Sequence, residues 1–102
     1  MTQEEALIEV EELLLGERSI PVQLRLHEGF DREAYERLVK AIRVLIRHYK
    51  DQASVPKKLA LAFVDVSNYF FYSEQAYPES VVEDLEDAAY ELTALASELF
   101  GG

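Results

Sequence analysis

The chain is expected to be all-α, a single domain over residues 1–102 folded as an antiparallel up-and-down four-helix bundle. Three observations lead there. Apolar residues recur at alternating intervals of 3 and 4 in four separate stretches, the period that lines one side of an α-helix. The joins between those stretches are short, and short joins between long helices make consecutive helices antiparallel neighbours. Only one stretch alternates with period two, and a lone strand would have no ladder to join.

The first helix opens at Thr2. Its hydroxyl can accept from the Glu5 backbone N–H while the Glu5 carboxylate reaches back to the Thr2 N–H, a capping box. Leu7, Val10 and Leu14 form the stripe, Ala6 and Leu13 lie beside it, and Gly16 is placed to end the helix. Residues 19–28 read two ways. Ile20, Val22, Leu24 and Leu26 alternate with polar residues as in a strand, yet Ser19 with Pro21 close behind reads as a helix start. A short extra helix or an extended packing segment is expected there, not part of a sheet.

The next helix begins at Asp31, after Gly29, and carries Tyr35, Leu38, Ile42, Leu45 and Tyr49 on one side, with Val39 and Ile46 widening the stripe. The helix after it begins at residues 54–56, where Pro56 suits the first turn because its missing N–H would have no partner there anyway. Leu59, Phe63, Val66 and Phe70 make its stripe. Leu61, Val64 and Phe71 make it apolar on further sides, so it is expected to be the most buried helix. The last helix opens near Pro78 and keeps its 3-4 pattern through Val82, Leu85, Ala89, Leu92, Ala96 and Leu99.

With 102 residues, 49% of them apolar, the chain can bury a core without covalent staples. It has no cysteine, which excludes disulfides and thiolate metal sites and suits a reducing compartment. The acidic, polar start has the wrong chemistry for a signal peptide, and the apolar runs fall far short of the ~20 residues that span a bilayer. The expectation is a cytoplasmic protein that is not an integral membrane protein. A net charge of −10 argues against nucleic acid, because phosphates must be neutralised by Lys and Arg. That charge is segregated: residues 31–58 hold eight bases against four acids, whereas nine acids and no base follow Lys58.

No residues point to catalysis, a cofactor or a metal. His27 and His48 are the only histidines and neither lies in a Glu-x-x-His arrangement. No serine sits in a Gly-x-Ser-x-Gly turn, and the four glycines are too scattered to cradle phosphate. Enzymatic activity is not expected. Binding is better supported. Tyr69, Phe70, Phe71, Tyr72 and Tyr77 are five aromatics within nine residues. Helical geometry spreads Tyr69 to Tyr72 around the axis at about 100° each, so they cannot all face one core. Tyrosine is enriched among interface anchors. Lys40, Arg43, Arg47 and Lys50 form a water-facing basic stripe on the helix that begins at Asp31. Asp65, on the following helix, is expected on a wet edge and paired with an arginine of the helix that begins at Asp31, the alternative being a polar contact inside a groove. Glu79, Glu83, Asp84, Glu86, Asp87 and Glu91 make the last helix acidic. The candidate binding surface is therefore Tyr69, Tyr72, Tyr77, Glu83, Asp84 and Asp87.

Residues 54–68, Ser-Val-Pro-Lys-Lys-Leu-Ala-Leu-Ala-Phe-Val-Asp-Val-Ser-Asn, resemble the start of the third helix in immunity proteins against pediocin-like (class IIa) bacteriocins. The similarity lies in the Ser-Val-Pro opening, the Leu three residues after the Pro, and the hydrophobic-acidic-hydrophobic-Ser-Asn ending. Elsewhere it extends to helix order, and no binding residues carry over. The resemblance implies a cytoplasmic four-helix bundle that protects a producer cell from its own membrane-active peptide by engaging a membrane receptor. The expected function is thus non-enzymatic binding of another protein, basic or membrane-associated, with bacteriocin immunity as its most specific form. The alternatives are a structural module forming a homodimer, and an acidic inhibitor that mimics nucleic acid to block a basic protein.

Overall fold

The computed structural model describes residues 1–64, 66, 70 and 76–101. They form α1 (Gln3–Leu15), α2 (Ile20–Arg25), α3 (Arg32–Tyr49), α4 (Lys57–Phe63) and α5 (Glu79–Gly101), with no strand among the described residues. The chain is an all-α helical bundle.

The helix starts follow from local chemistry. Both halves of the box at Thr2 are present: the Glu5 N–H donates to the Thr2 hydroxyl, and the Thr2 N–H donates to the Glu5 carboxylate, each at 3.1 Å. At the end of α1, Gly16 has an ordinary φ of −70°. A Cβ there would lie 2.6 Å from the Glu12 carbonyl oxygen, so close approach, not handedness, calls for glycine. The ambiguous stretch resolves as the short helix α2. The Ser19 hydroxyl accepts from the Val22 N–H at 3.2 Å, and Pro21 sits in the first turn. Ile20 and Leu24 go into the core, while Leu26, the last of the alternating set, is exposed. His27 (φ 57°) and Gly29 (φ 95°) then reverse the chain, and the Asp31 carboxylate accepts from the Ala34 N–H at 3.0 Å to open α3.

Contacts between helices give their directions. The Gln3 amide donates to the Tyr49 hydroxyl at 3.0 Å and Arg37 pairs with Glu9 at 2.8 Å, so the start of α1 lies beside the end of α3 and the two run antiparallel. Arg32 pairs with Asp84 at 3.3 Å near the starts of α3 and α5, and Ile46, Arg47 and Lys50 share a groove with Glu98 near their ends. Those two helices run parallel, with the shorter α4 between them in the chain. α4 packs on α1, with Lys58 3.8 Å from Glu11, and Phe63 meets Phe100 of α5 edge-on at 5.4 Å.

The core is the sum of the inward stripes: Val10, Leu24, Leu38, Ile42, Leu45, Leu59, Phe70, Leu85 and Leu92 have no exposed surface. One expectation fails. Leu61 and Val64, expected to bury the helix after α3 on further sides, do not do so. Within α4, Leu59, Ala62 and Phe63 are buried, but Leu61 is 58% exposed and Val64, just beyond it, 70%. The reason is geometric: α1 and Phe100 of α5 cover α4 from the side bearing Leu59 and Phe63, which leaves the opposite side in water. Phe71 lies outside the described residues.

Candidate interaction surface

α5 presents acids in two directions. Asp84, Glu91 and Glu98 recur every seven residues, two turns apart, along the flank that lies against α3. Each meets polar or cationic groups there. Asp84 pairs with Arg32. Glu91 accepts a hydrogen bond from the buried Tyr35 hydroxyl, which also lies 3.4 Å from the Ala88 carbonyl. Glu98 borders the groove that holds Arg47 and Lys50. Burial, followed by the hydrogen bond to Glu91 and its charge, pushes the Tyr35 phenol far above its ordinary range, while Arg32 and Arg43 pull weakly the other way. Tyr35 is therefore a neutral donor at neutral pH. Part of the basic stripe, Arg43, Arg47 and Lys50, thus borders α5 rather than open water alone. The segregated charges of the sequence meet along this seam.

The other direction is outward. Glu83, Glu86, Asp87 and Tyr90 fall at intervals of 3 and 4 on the water-facing side of α5, and Tyr90 is 65% exposed. Of the six residues expected to form the binding surface, Glu83 and Asp87 belong to this face. Asp84 is exposed but turned toward α3 and held by Arg32. Tyr77 is a correction. It is only 8% exposed, its hydroxyl donates to the Leu24 carbonyl at 2.6 Å, and its ring stacks on His27 at 5.5 Å. Near the end of this short helix the Leu24 carbonyl accepts from the His27 N–H at 3.2 Å, and Tyr77 gives it a further donor. It fastens the approach to α5 onto the end of α2 and is no surface anchor. Tyr69 and Tyr72 lie outside the described residues, as does Asp65. Tyr90 was missed, although its place seven residues after Glu83 and three after Asp87 already set it on their face.

A second exposed feature was not anticipated. Ile8 and Leu15 lie two turns apart on α1, Ile8 being 56% exposed, and they share a groove with Glu11, Glu12 and Lys58 of α4. Leu61 and Val64 leave further apolar surface exposed on α4 and just beyond its end.

Among the described residues, no three His, Cys, Asp or Glu side chains are grouped to hold a metal ion, and no helix is long and apolar enough to cross a membrane. What the two faces offer is charge, one large aromatic and apolar area, which is the equipment of recognition. Comparison with protein families, with curated proteins and with solved structures found no match to this chain.

Proposed function

We propose that the protein works by binding another protein through the outer face of α5, without catalysis. One observation carries this reading. On the inner flank of α5 the acids meet cations and the Tyr35 hydroxyl of α3, while Glu83, Glu86 and Asp87 are exposed with Tyr90 among them, on a helix that contains no base. A single-signed face raises the encounter rate with a basic partner. The exposed tyrosine adds area that is desolvated on contact. A basic protein is the partner class this chemistry fits, and a nucleic-acid-binding protein is one member of it.

The narrowest version is an immunity role in the cytoplasm, with a membrane receptor captured by a bacteriocin as the partner. The resemblance at residues 54–68, the helical-bundle fold and the lack of cysteine support it. Expression in a bacteriocin-sensitive strain tests that version: survival at otherwise lethal peptide doses supports it, and unchanged killing removes it.

The broader reading is tested by placing a photo-crosslinking residue at Tyr90 and identifying what it captures in cells. The expected capture is a protein with a basic surface. Its association rate should fall as salt rises, and fall about tenfold or more when Glu83, Glu86 and Asp87 are reversed to Lys. An association rate indifferent to both changes would reject this face as the binding site.

A further inference from the structure

The proposal for α5 leaves the outer face of α1 and α4 unused. That face combines an apolar centre with both signs of charge, each on its own helix. Ile8 and Leu15 project from α1, with exposed Glu4 and Glu12 beside them. Leu61 and Val64 project from α4 and its end, with exposed Lys57 on the same side. Lys58 lines the groove between the helices and already pairs with Glu11 within the chain.

We infer that this face binds a second copy of the chain across a two-fold axis. Self-complementarity selects that occupant. An isologous interface repeats each contact twice, residue i on j and j on i. Laying α1 of one copy over α4 of the other brings Glu12 toward Lys57 of the second copy, and Lys57 toward Glu12 of the second copy. Ile8, Leu15, Leu61 and Val64 supply the apolar part of that contact. A partner of one sign would be repelled by half of the face. An anionic lipid surface would meet Glu4, Glu11 and Glu12 along with the lysines. A standard interface takes about 800 Å² from each partner, roughly an eighth of the 6284 Å² that this chain exposes.

The net charge sets the salt response. Two copies at −10 each repel at long range, while their contact is mostly apolar. Screening therefore strengthens the dimer as salt rises from low values. This is opposite in sign to the behaviour expected of the α5 face, so the two readings fail separately.

Sedimentation equilibrium of the full chain over a wide concentration range tests the proposal. The expected weight-average mass climbs from 11.7 kDa toward twice that value. Leu61→Glu should raise the dissociation constant by about tenfold or more with the circular dichroism spectrum unchanged. If that variant misfolds, Lys57→Glu should weaken the dimer and Lys57→Glu with Glu12→Lys should restore it by exchanging the pair. A mass of 11.7 kDa at every concentration overturns the proposal, as does a dissociation constant indifferent to Leu61→Glu and Lys57→Glu. Co-sedimentation of an always monomeric protein with phosphatidylglycerol vesicles, abolished by Leu61→Glu, would overturn it in favour of a lipid surface.

Discussion

The outer face of α5 and the outer face of α1 and α4 both look onto water, yet they are built from forces of different range. Glu83, Glu86 and Asp87 project a field that persists over about a Debye length, ~8–10 Å at physiological salt. Ile8, Leu15, Leu61 and Val64 act only on contact, at about 25 cal/mol for each Å² removed from water. The first kind of face changes how often a partner arrives, and the second how long it stays. The same bundle can therefore carry two surfaces with opposite responses to salt. The comparison stands only if neither face is needed for folding.

The largest expected effect tests that condition. Leu85 faces inward from α5 with no exposed surface, so Leu85→Ala should cost about 2–5 kcal/mol in urea unfolding. Glu83→Lys and Leu61→Ser, on the two outer faces, should each stay within about 0.5 kcal/mol of the parent. A cost for Leu61→Ser that approaches that of Leu85→Ala would show that Leu61 serves the core, and the comparison would break.

Next in size is the seam that separates the two sides of α5. Tyr35→Phe removes a buried hydroxyl that donates to Glu91, and should cost about 1–2 kcal/mol because the freed carboxylate can turn to water. The phenol is held above its ordinary value of 10.0 in the folded state. Its stabilising contribution is therefore complete below that value and is lost as pH rises beyond it. Urea midpoints should fall on alkalinisation in the parent and fall less in Tyr35→Phe. Equal slopes would mean that Tyr35 titrates alike in both states.

Smaller again is the ionic part of the seam. Reversing Arg43 and Arg47 to Glu should destabilise by about 1 kcal/mol, with part of the loss recovered by added salt. Reversing Glu83 and Asp87 to Lys should cost nothing, since it lowers the net negative charge. If the two reversals behaved alike, the division of α5 into a flank used by the fold and a face left for a partner would have no energetic content.

Much of the fold was legible because it is local. Thr2 with Glu5 and Asp31 mark helix starts through bonds that span three residues, and these appear as read, whereas residues 19–28 read equally as extended until the Val22 N–H meets the Ser19 hydroxyl. The parts not legible depend on which helices become neighbours. The apolar sides of α4 look alike in sequence, and only the placement of α1 and α5 decides that Leu59 is covered and Leu61 is not. Tyr77 looks like an exposed aromatic until the end of α2 presents the Leu24 carbonyl, 53 residues away in the chain. The pairing of Arg32 with Asp84 and of Tyr35 with Glu91 likewise requires that α3 and α5 run parallel, which no single stripe encodes. Charge segregation was visible from composition. Its division into a flank against α3 and an outward face was not, because that depends on angle about the α5 axis.

The smallest effect sharpens the comparison at the start of α1, the helix that carries Ile8 and Leu15. The backbone N–H of Thr2, and after it the Thr2 hydroxyl, hold the Glu5 carboxyl below its ordinary value of 4.5. A carboxyl depressed in the folded state contributes stability that is present above its ordinary value and is lost as pH falls through the folded one. Glu5 is fully exposed, so the contribution is small and local. Acidification from pH ~7 to ~3 should therefore fray the first turn of α1 while α5 remains closed, because the core side of α5 holds through Leu85, Leu92 and Leu95 without help from an end cap. Amide chemical shifts of residues 5–8 should move toward coil values over this range in the parent. In Glu5→Gln, which cannot titrate, they should stay flat. Because Ile8 lies in the turn that follows, the dimer should weaken with the same pH midpoint. Parallel pH profiles in the parent and in Glu5→Gln would show that the capping box is not what anchors this face.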